Sequence, residues 1–431
     1  MAVDPITLLF VSLAILLFLR VPVGFALVLS SAVTIAYLDV PLSIVIQRLY
    51  SGLNSFPLLA VPLYLIAGSL MNFGGITDRL LKAASAMVGR VPGALAHINV
   101  VASMLFGGVS GSSLADTAAV GGVLIPGMIR QGYSPRIAVA VTAASSTMGI
   151  LIPPSVDMVI YGALANVSVG ALFLGGVVPG FLVGFSQIVL IMVLNRRHRY
   201  PVGEALTWRQ RAQALVGAVP TMFLPVIIIG GITSGAFTAI EAAALAAVYA
   251  AFLVLVVYRS VTVRSLVDLF EQAALQVGAV MFTIGGAVLF GWVLAYLQVP
   301  QAVEQWAIRQ ELSTIEVMLF IIAMFAVLGT FMGGMASIIT FLPVVTALAS
   351  VTDLHPVHLG VVIIMTIGLG LLTPPLGLCL MLAAKIADIS LMEAFRGSIL
   401  FIGLFIVVML VVALVPDLVL FLPRMLVPEF M

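Results

Sequence analysis

The chain has 431 residues, of which 63% are hydrophobic and 8% charged, with a formal net charge of +1. Soluble domains carry roughly 25% charged residues, so this composition excludes a soluble fold, and near-neutral charge gives no support to nucleic-acid binding. A single cysteine, Cys379, excludes an internal disulfide and a cysteine metal cluster.

The apolar runs 5–19, 171–194, 236–257 and 396–415 each suit a bilayer core of roughly 30 Å. They are continuous, whereas membrane β-barrels alternate polar and apolar residues. The fold class is therefore an all-α polytopic membrane protein. The opening MAVDPITLLFVSLAILLFLR has neither a basic start nor a clear cleavage site. It reads as a first membrane helix rather than a removed signal peptide.

A basic group, Arg79, Lys82 and Arg90, follows the helix near 57–73, and by itself it suits either interface. The stretch 106–126, FGGVSGSSLADTAAVGGVLIP, crowds glycine, hydroxyls and one acid into an apolar chain. Residues 195–211, NRRHRYPVGEALTWRQR, hold five arginines against one glutamate, which marks a cytoplasmic loop. Two crossings, near 213–231 and 236–257, return the chain to Arg259 and Arg264 on the same side. In all, ten to twelve membrane segments are expected, broken ones included, with about two hairpins.

The chain repeats itself. Residues 132–155, GYSPRIAVAVTAASSTMGILIPPS, answer 353–376, DLHPVHLGVVIIMTIGLGLLTPPL, at an offset of 221. Pro135 meets Pro356, Gly149 meets Gly370, and Pro153-Pro154 meets Pro374-Pro375. Upstream, Leu-Ile-Pro at 124–126 answers Phe-Leu-Pro at 341–343 only after a four-residue shift. Proline pairs break helices. In lipid, a broken helix is tolerated only inside protein or beside a cavity. Interrupted helices at matching places in two halves point to the binding site of a secondary transporter.

These motifs, with GYSPRIAVAVTAASSTMGILIPPSVDMVIYG and HPVHLGVVIIMTIGLGLLTPPLGLCLMLAAKIADIS, resemble the large membrane subunit of TRAP (tripartite ATP-independent periplasmic) transporters. The resemblance implies an elevator-type secondary transporter with inverted repeats, two re-entrant hairpins and broken helices. It implies import of an organic anion, such as a C4-dicarboxylate or acidic sugar, coupled to Na+ in the bacterial inner (cytoplasmic) membrane. It also implies two partners: a small membrane subunit, not fused to this chain, and a periplasmic substrate-binding protein. The expected organisation is scaffold helices in 1–90, a first transport repeat in 91–194, a basic loop with scaffold or arm helices in 195–315, and a second repeat in 316–431. The hairpins fall at about 104–127 and 331–350, and the broken helices at about 136–165 and 357–387.

In such a family sodium sits where each hairpin meets its broken helix, held by carbonyls and hydroxyls. The first set is Ser110, Gly111, Ser112, Ser146, Gly149, Ile152 and Ser155; the second is Gly333, Gly334, Gly370, Thr373 and Leu376. Ile152 and Leu376 offer only carbonyls. Any one of these hydroxyls could instead bond back to its own turn. Gly107-x-x-x-Gly111 also fits close helix packing. For the anion, donors nearest in sequence are Ser112, Ser113, Thr147 and Arg136, although Arg136 suits an interfacial anchor as well. Helix N-termini beside the breaks offer positive charge without a cation.

Asp116 is an acid at membrane depth, costly and so a functional candidate. It could balance sodium, fix the hairpin by accepting backbone hydrogen bonds, or lie at a watery tip. Asp157 departs from the family pattern and is placed beside the first ion site, where it could tune ion binding or substrate choice, or face water. His97, His355 and His358 suit interfacial positions. No phosphate-binding glycine loop with lysine occurs, which disfavours an ATP-driven pump. A stand-alone sodium- or proton-coupled carboxylate carrier remains the alternative to a binding-protein system. An intramembrane enzyme would need a nucleophile and base, for which only the Ser110 cluster and Lys385 offer anything.

Overall fold

The computed structural model describes residues 3–198, 200–203, 205–261 and 263–430. Arg199 and Glu204 of the basic loop lie outside them, as do the side chains of Arg197 and Arg264.

Without water, backbone groups in a bilayer must bond internally, which leaves the helix as the economical solution. Among the described residues, twenty α-helices follow in chain order. They are α1 (Pro5–Phe18), α2 (Val23–Tyr37), α3 (Ser43–Leu53), α4 (Ala60–Phe73), α5 (Ile76–Val88), α6 (Ala94–Ser110) and α7 (Ser113–Arg130). Next come α8 (Pro135–Ser146), α9 (Val156–Ala165), α10 (Val169–His198), α11 (Trp208–Thr233), α12 (Ala239–Phe252) and α13 (Val263–Tyr296). The rest are α14 (Val299–Arg309), α15 (Thr314–Met332), α16 (Gly334–Ala349), α17 (Pro356–Gly370), α18 (Leu378–Ile386), α19 (Leu391–Leu414) and α20 (Asp417–Leu426).

Six helices among the described residues are long and apolar enough to span a membrane. The pair α4–α5 is bent by 73° at its break, and several shorter apolar helices accompany it. Capping boxes open α11 (Thr207 with Gln210), α12 (Thr238 with Glu241) and α15 (Ser313 with Glu316). Each satisfies N–H groups that a helix start would otherwise leave bare.

The three basic groups meet at one end of the bundle. Arg79 stacks on the Tyr258 ring, 3.8 Å from its centroid. The Arg211 guanidinium lies against Gly89, and Gly203 donates to the Val91 carbonyl at 3.2 Å. The group at 79–90, undecided by sequence, therefore joins the loop 195–211 and Arg259 on one side, which charge bias makes cytoplasmic.

The duplication runs further than its motifs. Helices α7 and α16 begin at 113 and 334, and α8 and α17 at 135 and 356, both separated by 221 residues. The pairs α6/α15, α9/α18 and α10/α19 keep that register to within one residue at their starts. The four-residue shift inferred from the Leu-Ile-Pro match is thus unnecessary. Pro126 and Pro343 sit one helical turn apart within otherwise equivalent helices. Both proline pairs are cis.

The broken helices occupy the centre. Every residue of α17 from Val357 to Gly370 is buried, as is α8 from Ala138 to Ser146. A helix apolar all round belongs inside a bundle rather than at its edge. The two cross where Thr147 meets Gly368, the Thr147 Cβ lying 3.6 Å from the place of a Gly368 Cβ. Those positions are counterparts at the offset of 221. Counterparts touching each other is what a pseudo-twofold axis between the repeats requires. Around this centre, α4 packs on α12, and α13 packs on α2, α3 and α16.

Candidate functional site at the hairpin tips

The two hairpins turn on glycine. At the first tip, Gly111 holds φ 64, and Ser112 caps α7, its Oγ accepting from the Ala115 N–H at 3.4 Å. At the second, Gly333 holds φ 73 and carries no side-chain cap. Positive φ is cheap only for glycine. The first arms extend beyond the expected hairpins, to Ala94 and Thr314.

The first tip lies against the first break. A Cβ on Gly149 would meet the Ser112 carbonyl at 3.1 Å, and one on Gly111 would meet the Pro154 carbonyl at 2.6 Å. A Cβ on Gly107 would stand 3.2 Å from the Gly149 Cα, so the Gly107-x-x-x-Gly111 motif serves close packing as well as the turn. Here Ser110, Gly111, Ser112, Gly149 and the carbonyls around Pro154 do come together.

The second junction differs from its expectation. Gly370 packs on Gly329, whose carbonyl carbon would be 2.6 Å from a Gly370 Cβ, and Leu376 N–H donates to the Thr330 carbonyl at 3.3 Å. The break thus meets the chain a turn before Gly333. Gly329 and Thr330 were missed, although Gly329-x-x-x-Gly333 repeats the motif of the first hairpin.

Most hydroxyls bond to their own helices. Ser146 donates to Thr142 at 2.8 Å, Thr147 to Ala144 at 2.7 Å, and Thr373 to Leu369 at 2.9 Å. Ser155 Oγ caps α9 by accepting from Met158 at 3.3 Å. Their free lone pairs still accept, but Thr147 is buried between the broken helices and does not line the cavity between the tips.

Arg136 is corrected. It pairs with Glu393 at 2.7 Å and stands exposed, away from the tips. Such exposed pairs contribute about 0–1 kcal/mol. Arg136→Ala should leave the apparent KM for solute within about twofold, because no substrate contact is lost; a tenfold rise in an uptake assay would restore it as a binding residue.

Asp116 is wholly buried, and neither carboxylate oxygen has a hydrogen-bond partner. The watery-tip and backbone-acceptor readings therefore fail. The hydroxyls of Ser103 and Ser146 lie beside it, and the neighbouring Ser113 Oγ is also unpartnered. Asp157 does not sit at the first junction. Its Oδ2 lies 3.1 Å from the place of a Gly334 Cβ, at the second tip. His97 and His358 are buried within the protein, and His358 Nε2 bonds the Val412 carbonyl at 2.9 Å.

Both tips open into one cavity of about 540 Å³, within the roughly 300–1,000 Å³ usual for small-molecule sites. Residues 110–115 line one side and 332–336 another, with Asp157 between. Polar groups from outside the repeats complete it: Ser69 and Asn72 on α4, Gln276 and Thr283 on α13. Their signal in the sequence was isolated polar residues within apolar helices.

The family model for the DctM component of tripartite ATP-independent periplasmic transporters matches residues 10–418. The chain belongs to this family. A DctM-family relative, the Vibrio cholerae sialic acid TRAP transporter large permease SiaM, is 37% identical over 415 residues, covering 95% of this chain and 96% of that protein. The Pseudomonas aeruginosa C4-dicarboxylate TRAP transporter large permease DctM is 37% identical over 377 residues, 88% of each. Among solved structures, the YdaH transporter of Alcanivorax borkumensis aligns with a TM-score of 0.63, covering 86% of this chain and 88% of that one, at 13% identity. That likeness is one of fold. As a DctM component the chain is a transport permease of the bacterial inner membrane, crossing it several times, and not an enzyme. A tripartite family implies further subunits.

Proposed function

We propose that the chain is the sodium-coupled permease of an importer in which a periplasmic binding protein delivers an organic acid and a small membrane subunit completes the scaffold. The observation that carries this is the convergence of both glycine-turned tips, and of the helix ends flanking both breaks, on one cavity. The relatives named for sialic acid and C4-dicarboxylates support an organic-acid solute.

Sodium needs several oxygen ligands without tight retention, which suits backbone carbonyls and hydroxyls at helix ends. The first junction offers Ser110, Ser112, Gly149, Ile152 and Ser155, with the unpartnered Asp116 carboxylate as nearby countercharge. Ser146 lies beside that acid. The second junction offers Gly333, Gly370, Thr373 and Leu376. The solute's acid group suits the N-terminus of α7, where Ser112 and Ser113 stand. The two repeats would move together against α4, α12 and α13 as an elevator, carrying tips and cavity as a unit.

Proteoliposomes holding the chain and its small subunit should take up solute only with binding protein outside and an inward sodium gradient. Replacing sodium by potassium should reduce uptake at least about tenfold, the scale of about 1.4 kcal/mol. Equal uptake in potassium removes the coupling, and full uptake without binding protein favours a stand-alone carrier.

A further inference from the structure

The cavity's charge is unusual for a site that takes an organic acid. No lysine, arginine or histidine lines it among the described residues, whereas one carboxylate, Asp157, does. Asp157 is 6% exposed, and no hydrogen bond or ion pair reaches its carboxylate. An ionised carboxylate buried without a partner is costly. The Gly334 N-terminus of α16 offsets part of that cost through its dipole, but donates no hydrogen bond to it.

Two helix starts face this space, and they are not equivalent. The start of α16 already faces the fixed negative charge of Asp157. The start of α7 faces none within the cavity, and there Ser113 Oγ is buried without a partner. The first turn of α7 carries Asp116, but that carboxylate is sealed away from the cavity, so the α7 end still offers its cavity face to an acid group while Asp157 waits for a cation. A second buried acceptor at the wall, Asn72 Oδ1, also lacks a donor. A dicarboxylate would leave both acceptors unsatisfied and bring its second charge towards Asp157.

We infer that the cavity selects a zwitterionic solute, an organic acid that also bears an ammonium group, with Asp157 holding the ammonium and the start of α7 holding the acid. The assignment rests on the reading of this cavity as the solute site of a permease. Asp157 thereby acts as a specificity-determining residue. An N–H-bearing cation answers the Asp157 carboxylate and Asn72 Oδ1 together. Discrimination is strong in such a site because the wrong solute leaves buried polar groups unpaired.

The test uses the chain purified with its small membrane subunit in lipid nanodiscs, in sodium chloride. Matched solutes differing by one ammonium are titrated calorimetrically: aspartate against succinate, 4-aminobutyrate against butyrate, and taurine against ethanesulfonate. In at least one pair the ammonium-bearing member should bind about tenfold or more tighter. Asp157→Asn should reduce that preference to about twofold without weakening the plain acids, succinate gaining affinity as the facing charge is removed, and Asp157→Glu should keep the preference. Equal or tighter binding of the plain acids in every pair overturns the assignment, as does binding in none. A preference that survives Asp157→Asn overturns it too, as does a change confined to sodium affinity. Sodium-driven uptake of plain acids by the whole complex would sink the zwitterion assignment and leave the importer reading standing. Loss of the importer reading would show instead as uptake indifferent to sodium.

Discussion

Gly111→Ala should abolish uptake and lower the stability of the purified protein by about 2–4 kcal/mol. Two costs add. Gly111 holds φ 64, where a Cβ is penalised by roughly 1–2 kcal/mol. The new Cβ would also stand 2.6 Å from the Pro154 carbonyl oxygen, a backbone atom of the break that cannot rotate away. Relief requires the tip to withdraw from the break, which separates the oxygen ligands of the first junction. Gly370→Ala tests the second junction in the same way, since its Cβ would stand 2.6 Å from the Gly329 backbone. Gly122 is the control: a Cβ there meets nothing within 4 Å. Thermal unfolding in detergent and uptake in proteoliposomes measure the effects. If Gly111→Ala behaves like Gly122→Ala, the close approach of tip and break does not exist in the working protein.

Asp116→Asn should cut sodium affinity about tenfold or more while leaving the sodium-free protein as stable as before, or more so. The carboxylate has no internal partner to lose. Removing an unpaired buried charge relieves a desolvation cost. A bound ion stabilises the folded state by mass action, about 2.7 kcal/mol at a hundred times its Kd. The variant should therefore lose most of the thermal stabilisation that sodium confers on the parent protein. Unchanged stabilisation by sodium would remove Asp116 as the countercharge. A large loss of stability in sodium-free buffer would make it a structural residue instead.

The parts of this site that were legible in the sequence are those that act through the backbone. Pro153-Pro154 and Pro374-Pro375 end helices wherever they stand, and glycine at 111 and 333 permits the turns. Such effects are local, so spacing alone recovered the breaks and the offset of 221, while the places of the hairpins came from the family resemblance. Hydroxyls were less legible. Whether Thr147 faces a ligand or its own turn depends on which side of α8 is covered, and α17 covers that side. The acids were least legible. Asp157 stands two residues after Ser155, which suggested the first junction, yet packing of α9 on α16 sends its carboxylate to Gly334. Arg136 lies near the sites in sequence, but α8 packs on α19 and delivers it to Glu393.

The sequence by itself determined an all-helical membrane protein, its duplication, the places where helices break and the cytoplasmic sign of its longest basic loop. These follow from hydropathy, proline chemistry and charge bias, which need no knowledge of neighbours. Only the tertiary structure decided that Asp116 is sealed without a partner, that Asp157 belongs to the second tip, and that Asn72 and Gln276 help close the cavity. The physical reason is burial: the cost of a polar group in a membrane protein is set by what stands opposite, and what stands opposite comes from distant helices.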